Sequence, residues 1–496
     1  MSDSQSNLKI LTARSIKWNL IDRVATQVLY GVTGIILARL LSQEDFGLVG
    51  AVLVFQAFAS LFVDSGFSSA LIQRKSPTRL DYSTVLWFNI GMASLLYVVL
   101  WFLAPLMADW FQGDQRLVPL SRVMFISFIL SATAIVQTNR LMKQMNVRLI
   151  AATNAIGLTA GAIVGITLAV MGYGAWALVW QTLVLTAVKS LALWISTRWL
   201  PLLQFSWKSL RSFMSVGTGV MFTSFLNTLF QNIYSFFIGN RVGMVSLGYY
   251  TQSDKWSKMG IMSINQVLTS SFLPLLSEVQ DNRERFARVT AKTSRFTAYL
   301  AIPAMGFCIV MATPIFHALF GSKWDASIVL FQLLLVRGVF YLFTSLYSNY
   351  ILALGRAKLI VAMESLRDGV ALAALLITLP MIGWTAAGNP VYGIEILLWG
   401  QIAAAFVTWV ATMITATRLI DRRMADFLMD MLPYLFTTAA AIVAMWAISL
   451  MISNAWLLLA VQGCVGVAIY IIVNWIAKSK VQADALEYLL GRFRRH

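Results

Sequence analysis

Long apolar stretches separated by short polar connectors recur along the whole chain. A helix takes about 20 residues to cross the hydrocarbon core of a bilayer, so each such stretch predicts one membrane span. Fourteen are read, over residues 15–40, 46–66, 81–108, 118–137, 149–171, 174–196, 212–238, 249–275, 294–315, 325–352, 359–382, 391–417, 432–452 and 455–477. Residues 1–13 are polar, and no short apolar core with a small-residue cleavage site follows them, so the first span is expected to stay in the mature protein.

The polar connectors set the orientation. With a cytoplasmic N-terminus, twenty-seven Lys and Arg fall inside, from Lys9, Arg14 and Lys17 to Arg492, Arg494 and Arg495. Only Arg39, Arg116, Arg122, Arg241 and Lys323 fall outside. Cytoplasmic loops carry the basic excess in membrane proteins, so both termini are expected inside and the span count even.

Four echoes in the same order suggest an internal repeat. Thr138-Asn139 leads to Arg148-Leu149-Ile150 as Ser348-Asn349 leads to Lys358-Leu359-Ile360. Phe46-Gly47-Leu48 answers Leu247-Gly248-Tyr249, Gly113 answers Gly321, and Tyr173-Gly174 answers Tyr392-Gly393. A six-span unit used twice in parallel orientation gives two lobes around a central cavity, which is a transporter architecture. The expected division is an N-lobe over residues 1–196, a C-lobe over 197–417, two additional spans over 418–477 and a cytoplasmic tail over 478–496. The fold class is therefore all-α integral membrane, with about 14 transmembrane helices in two six-helix lobes plus two C-terminal helices.

Composition agrees. Fifty-nine per cent of the 496 residues are apolar and only 12% are charged, against about 25% charged in a soluble domain. The net charge of +17 would suggest nucleic acid in a soluble protein, but here it is the basic excess of the inner loops, and no nucleic-acid partner is expected. Cys308 and Cys464 lie in apolar runs, and His317 and His496 are the only histidines, so no disulfide framework and no histidine-based metal site is expected.

An ionised side chain inside a span costs about 2.5–3.5 kcal/mol on insertion scales and asks for an explanation. Asn19, Arg23, Thr26, Tyr30 and Thr33 fall on one face of the first span, with Asp22 at its border. Asn227, Gln231 and Tyr234 do the same on the seventh. Two polar faces fit a wet cavity; helix–helix hydrogen bonding is the alternative. Lys255 and Lys258 open the eighth span beside Asp254, placed either to coordinate phosphate or to snorkel to the headgroups. The tenth span carries Arg337, the eleventh Glu364, Arg367 and Asp368, and the twelfth Glu395. Asp22, Glu364 and Asp368 are candidates for coupling to a proton or sodium gradient; equally, Glu364 and Asp368 can simply neutralise Arg367 and Arg337. Asp64 reads as a helix-end partner.

There is no G-x-x-x-x-G-K-[ST] loop and no Asp-x-Asp pair, so neither ATP hydrolysis nor metal-dependent sugar transfer is expected. The longest polar connector, Glu278 to Arg295, reads as an amphipathic linker.

Several turns resemble those of a known family. Ala38–Gly47 (ARLLSQEDFG) is similar to the first periplasmic turn of the Wzx-type polysaccharide flippases of the multidrug/oligosaccharidyl-lipid/polysaccharide exporter superfamily, and Asp64–Lys75 (DSGFSSALIQRK) resembles their next loop. Asp81–Gly91, Ser271–Phe286 and Gly321–Leu334 resemble the branch containing colanic acid exporters; beyond about residue 360 the likeness is thin. The resemblance implies a non-enzymatic flippase of the bacterial inner membrane. It implies alternating access that moves undecaprenyl-pyrophosphate-linked oligosaccharide from the cytoplasmic to the periplasmic leaflet for exopolysaccharide, capsule or O-antigen assembly. It further implies no cofactor, membrane lipids as surroundings, and the polymerase and chain-length proteins of the same pathway as partners. In related flippases basic residues of the first and eighth spans face the cavity. By span position Arg23, Lys255 and Lys258 are the pyrophosphate candidates, joined by Arg337 on its own spacing. Asn19, Tyr30, Asn227, Gln231 and Tyr234 are the glycan candidates. An ion-coupled multidrug exporter and an integral-membrane polysaccharide polymerase or ligase are the alternatives. The first asks for an acidic cavity, and the second for a large outer loop that this chain lacks.

Overall fold

The computed structural model describes residues 2–64, 67–384, 389–420 and 422–483; the side chains of 2–17, 20, 64, 69 and 214–223 lie outside the description. The expectations on Asp64, on Lys9, Arg14 and Lys17, and on Arg492, Arg494 and Arg495 therefore lie outside the described residues. Among those residues there is no β-sheet, and the chain divides into two compact units, Met1–Gly248 and Tyr249–His496.

The first unit contains α1 (Ser2–Leu40), α2 (Gln43–Asp64), α3 (Phe67–Gln73), α4 (Arg79–Trp110), α5 (Leu117–Met124), α6 (Ile126–Lys143), α7 (Val147–Val170), α8 (Ala175–Thr197), α9 (Trp207–Arg241) and the first turn of α10 (Met244–Glu278). Its most intimate pair is α7 with α8, and small residues are the reason. Gly157, Gly161 and Gly165 follow one another at helical spacing on α7. A Cβ on Gly161 would stand 2.7 Å from the Gln181 carbonyl oxygen, and one on Gly157 would stand 2.8 Å from that of Leu185. In lipid, where apolar side chains gain nothing by leaving the solvent, such close approach of small residues supplies the packing energy. Helix α1 packs on α7, while α9 packs on α2, α3 and α4. That packing puts the whole of α9 in the first compact unit, which ends at Gly248, while the repeat expected from the sequence divides at 196/197.

Side chains close the helix ends. Thr78 and Asp81 form a reciprocal capping box on α4, and Asp81 also accepts from Arg74 at 3.3 Å and from the Ser209 hydroxyl. Asn146, Ser206, Asn282 and Asn454 cap α7, α9, α11 (Arg283–Val310) and α17 (Ala455–Ile476) through side-chain oxygens that accept backbone N–H bonds. Each satisfies a donor that the helix itself leaves open.

The second unit holds the rest of α10, α11, α12 (Ala312–Leu319), α13 (Asp325–Ala353), α14 (Ala357–Thr378), α15 (Tyr392–Ile420), α16 (Met424–Ser449) and α17. Helix α13 packs on α11 and α15, α14 lies on α15, and α16 lies on α11 and α17. Tyr347, Tyr350, Phe343, Phe427 and Met413 fill its core. The buried Tyr350 hydroxyl is satisfied by Thr293 at 2.7 Å, Ser294 at 3.1 Å and the Thr290 carbonyl at 3.0 Å. Full satisfaction is what a polar group in a dry interior requires.

Among the described residues twelve helical stretches are long and apolar enough to cross a membrane, so the chain is a multi-pass, all-α membrane protein. Of the fourteen expected spans, α14, 22 residues long, is not among the twelve, and the count does not extend to the middle of α9, where the side chains of residues 214–223 lie outside the description. Helix α14 carries Glu364, Arg367 and Asp368 along its length. Two other expected spans are broken: the fourth into α5 and α6 at Phe125, and the ninth into α11 and α12 at Met311. Pro314 falls in the first turn of α12, where its missing N–H costs nothing.

Candidate functional site

In the second unit, α10 and α13 are held together by reciprocal serine bonds. The Ser253 hydroxyl donates to the Ser327 carbonyl at 2.8 Å, and the Ser327 hydroxyl donates to the Tyr249 carbonyl at 3.1 Å. Further along, Gly338 on α13 lets Ile261 of α10 approach so closely that a Cβ there would overlap the isoleucine tip. Asp254, Lys258 and Ile261 share one face of α10 by their spacing. That face is turned toward α13.

A charged cluster results. Lys258 Nζ lies 2.6 Å from Asp254 Oδ2, and Arg337 Nη2 lies 4.0 Å from Asp254 Oδ1. Arg337 Nη1 donates to the amide oxygen of Gln401 on α15, which is buried. The Gln401 amide nitrogen and Asp254 Oδ1 have no hydrogen-bond partner among the described residues. A buried polar atom left so costs about 1–3 kcal/mol, and here a donor and an acceptor are both left in one cluster. The charged members keep some access, with side-chain exposures of 15% for Asp254, 26% for Arg337 and 35% for Lys258. Lys255 is exposed, forms no ion pair among the described residues, and lies with Nζ 5.4 Å from the Trp256 ring centroid.

Helix α14 contributes Asp368, which pairs with its neighbour Arg367 at 3.0 Å, while Glu364 is exposed and unpaired among the described residues. Arg337 is thus neutralised by Asp254, and neither α14 carboxylate serves it. Glu395 on α15 accepts from Asn389 at 2.7 Å.

In the first unit, Asn19, Arg23 and Tyr30 are exposed on α1, and Arg23 forms no ion pair among the described residues. Thr33, at the end of that stripe, is buried. Asp22 is turned to α7, where it accepts from Asn154 at 3.3 and 3.4 Å, and Thr26 donates to it at 3.4 Å. On α9, Gln231 donates to Asn227 at 3.1 Å and both are exposed, whereas Tyr234 is buried. Sequence reasoning missed Gln401 and Asn154. Each is a lone amide in an apolar run, a weak signal that a hydrogen-bond partner waits on another helix.

Outside the spans, the turn after α4 holds Arg116 between Asp114 at 2.7 Å and Glu44 at 2.5 Å. The Arg116 guanidinium, hydrogen-bonded to Asp114, holds that carboxyl below the usual range.

An all-α bundle of helices long and apolar enough to cross a bilayer defines the class: a multi-pass integral membrane protein. Comparisons with known proteins narrow it. A family model described as "Polysaccharide biosynthesis protein" matches residues 36–329, more than half of the chain, and the chain belongs to that family. It is 26% identical over 334 residues to the succinoglycan biosynthesis transport protein ExoT of Rhizobium meliloti, spanning 67% of either chain. It is 26% identical over 341 residues to the lipopolysaccharide biosynthesis protein WzxC of Escherichia coli, spanning 67% of this chain and 68% of that one. Among solved structures it is similar to the lipid II flippase MurJ in an inward closed conformation, with a TM-score of 0.72 and 16% identity over 93% of this chain and 98% of that one. An inward-facing multidrug resistance MATE family transporter of the MOP superfamily follows with a TM-score of 0.60 and 17% identity over 79% and 95%. These two likenesses establish the fold. The expected kinship with polysaccharide-assembly proteins holds at the level of that family.

Proposed function

We propose that this protein is a flippase for undecaprenyl-pyrophosphate-linked oligosaccharide repeat units, moving them from the cytoplasmic to the periplasmic leaflet of a bacterial inner membrane. The observation that carries the reading is that Arg23 in the first unit and Lys255 in the second are each exposed on a helix of a membrane bundle, with no carboxylate partner among the described residues. Uncompensated cations at such positions are costly, and an anionic diphosphate headgroup is the ligand that repays them through charge-assisted hydrogen bonds. Membership of the polysaccharide biosynthesis family supplies the context, and the relatives named as transport and lipopolysaccharide biosynthesis proteins support the substrate class.

Lys258 and Arg337 are the further diphosphate ligands in this reading, and Asn19, Tyr30, Asn227 and Gln231 meet the sugars. Tyr234 is buried, and it is left out of the sugar contacts in this reading. The two six-span lobes with two added helices, both termini cytoplasmic, and alternating access belong to the same proposal, supported by the four sequence echoes and the basic connectors. The polymerase and chain-length proteins of the pathway are the proposed partners. Because the cytoplasm is negative, outward movement of an anion gains about 2.3 kcal/mol per charge per 100 mV, so no nucleotide is required. Glu364, which has no ion pair, is the leading group for any added proton or sodium coupling, ahead of the engaged Asp22 and Asp368.

The experiment is export in cells whose own flippase is deleted. Arg23→Ala and Lys255→Ala at normal protein level abolish surface polysaccharide if the reading is right. Full export by both removes it.

A further inference from the structure

The Asp254 cluster has the composition of an anion site that is filled from within. Three side chains from three helices, Lys258 on α10, Arg337 on α13 and Gln401 on α15, are linked in one cluster, and Asp254 is the only carboxylate paired there among the described residues. Its grip is uneven. Lys258 is at hydrogen-bond distance, 2.6 Å, but Arg337 stands off at 4.0 Å, beyond hydrogen-bond reach. Asp254 Oδ1 has no donor, and the Gln401 amide N–H group, on a side chain only 5% exposed, has no acceptor. A single carboxylate is too small to serve all these donors. A group with more acceptor oxygens and more charge serves them together, and the partial exposure of Arg337 and Lys258 leaves it a way in.

We propose that Asp254 is an internal counter-ion that holds Lys258 and Arg337 when no substrate is bound and is displaced from them by the diphosphate of the lipid-linked substrate. The inference rests on the reading of Lys258 and Arg337 as diphosphate ligands. It adds that their affinity is set by competition inside the protein. An unopposed pair of cations would bind the diphosphate tightly and release it slowly. A carboxylate one turn away on the same helix takes the cations back as the ligand leaves, so that product release is assisted. The same carboxylate keeps the empty site from holding two uncompensated charges inside the membrane. The groups facing Asp254 are Lys258 on its own helix and Arg337 on α13, and Gln401 on α15 is reached through Arg337.

The test uses the full-length protein in nanodiscs at pH 7 and inorganic pyrophosphate as the probe, with Kd measured by calorimetry. Asp254→Asn removes the competing charge at constant size and is expected to tighten pyrophosphate binding about tenfold, the scale of one ion pair. Lys258→Ala and Arg337→Ala are expected to weaken it by a similar factor. Weakened binding in those two with no gain in Asp254→Asn overturns the counter-ion and leaves the diphosphate reading standing. Unchanged binding in all three overturns both. Should Asp254→Asn fail to fold, Asp254→Ser takes the same measurement and the same two outcomes.

Discussion

Gly47 and Gly248 meet each other's neighbouring backbone reciprocally. A Cβ on Gly47 would overlap the carbonyl oxygen of Met244, and a Cβ on Gly248 would overlap that of Gln43. Each carbonyl lies four residues before the other glycine, so the first turns of α2 and α10 touch backbone to backbone inside the first unit. The same two glycines are set in register by the echo of Phe46-Gly47-Leu48 in Leu247-Gly248-Tyr249, which supports the proposed repeat.

A side chain has nowhere to go at this joint, because what it meets is main chain. Gly47→Val and Gly248→Val are each expected to cost about 1–3 kcal/mol by overpacking. The double variant is expected to cost less than the sum, since both open one contact. Thermal unfolding in detergent measures this; an unchanged Tm in either single variant would show that the contact is not made.

The glycine stripe of α7 makes a second packing prediction. Gly161→Leu drives a side chain into the Gln181 carbonyl and the Leu185 Cβ, 2.7 and 2.9 Å from the added Cβ position. Separation of α7 from α8 should lower Tm and raise proteolysis at residues 171–174. Gly172→Ala, with open space around it but a φ of +82°, should cost only the strain of its left-handed backbone.

How far the sequence revealed these features depends on distance along the chain. Hydropathy located the long helices of the described residues, because spanning a bilayer leaves a mark about twenty residues long. It missed the breaks at Phe125 and Met311, where the apolar composition does not change. Helical spacing located Arg23, Lys258 and Arg337, but it did not show which of them finds a carboxylate. Asp254 serves Lys258 from one turn away and Arg337 from another helix. Asp22, placed at the edge of a polar stripe, is claimed by Asn154 of α7. Partners across helices leave no periodic trace in a single sequence.

Guanidinium geometry separates a charge role from a packing role at Arg23. Arg23→Lys keeps the charge but loses the planar fork that grips a diphosphate. Export should fall in the order wild type, Arg23→Lys, Arg23→Ala, with equal protein in the membrane. Equal loss in both variants with reduced protein would instead indicate a folding role.

The turn after α4 carries a pH signature. Arg116 lowers the ionisation range of Asp114 in the folded protein, so the pair's stabilisation is complete above the unfolded carboxylate's pKa. It is lost as pH falls through the lower, folded value. Arg116 is largely exposed, so the effect is small, about 1 kcal/mol or less. Asp114→Asn should lower Tm slightly at pH 7 and by less as pH falls below the unfolded carboxylate's pKa of about 3.9; an equal Tm difference throughout would contradict the pairing.

Reconstitution decides the central claim. Purified protein in liposomes is supplied with fluorescent undecaprenyl-pyrophosphate-linked oligosaccharide, and transfer between leaflets is followed without nucleotide. The account predicts transfer that depends on the protein, rises when the membrane potential favours movement of the anion, and falls at least tenfold in Arg337→Ala. Transfer that requires ATP, or none above empty liposomes from folded protein, would contradict it.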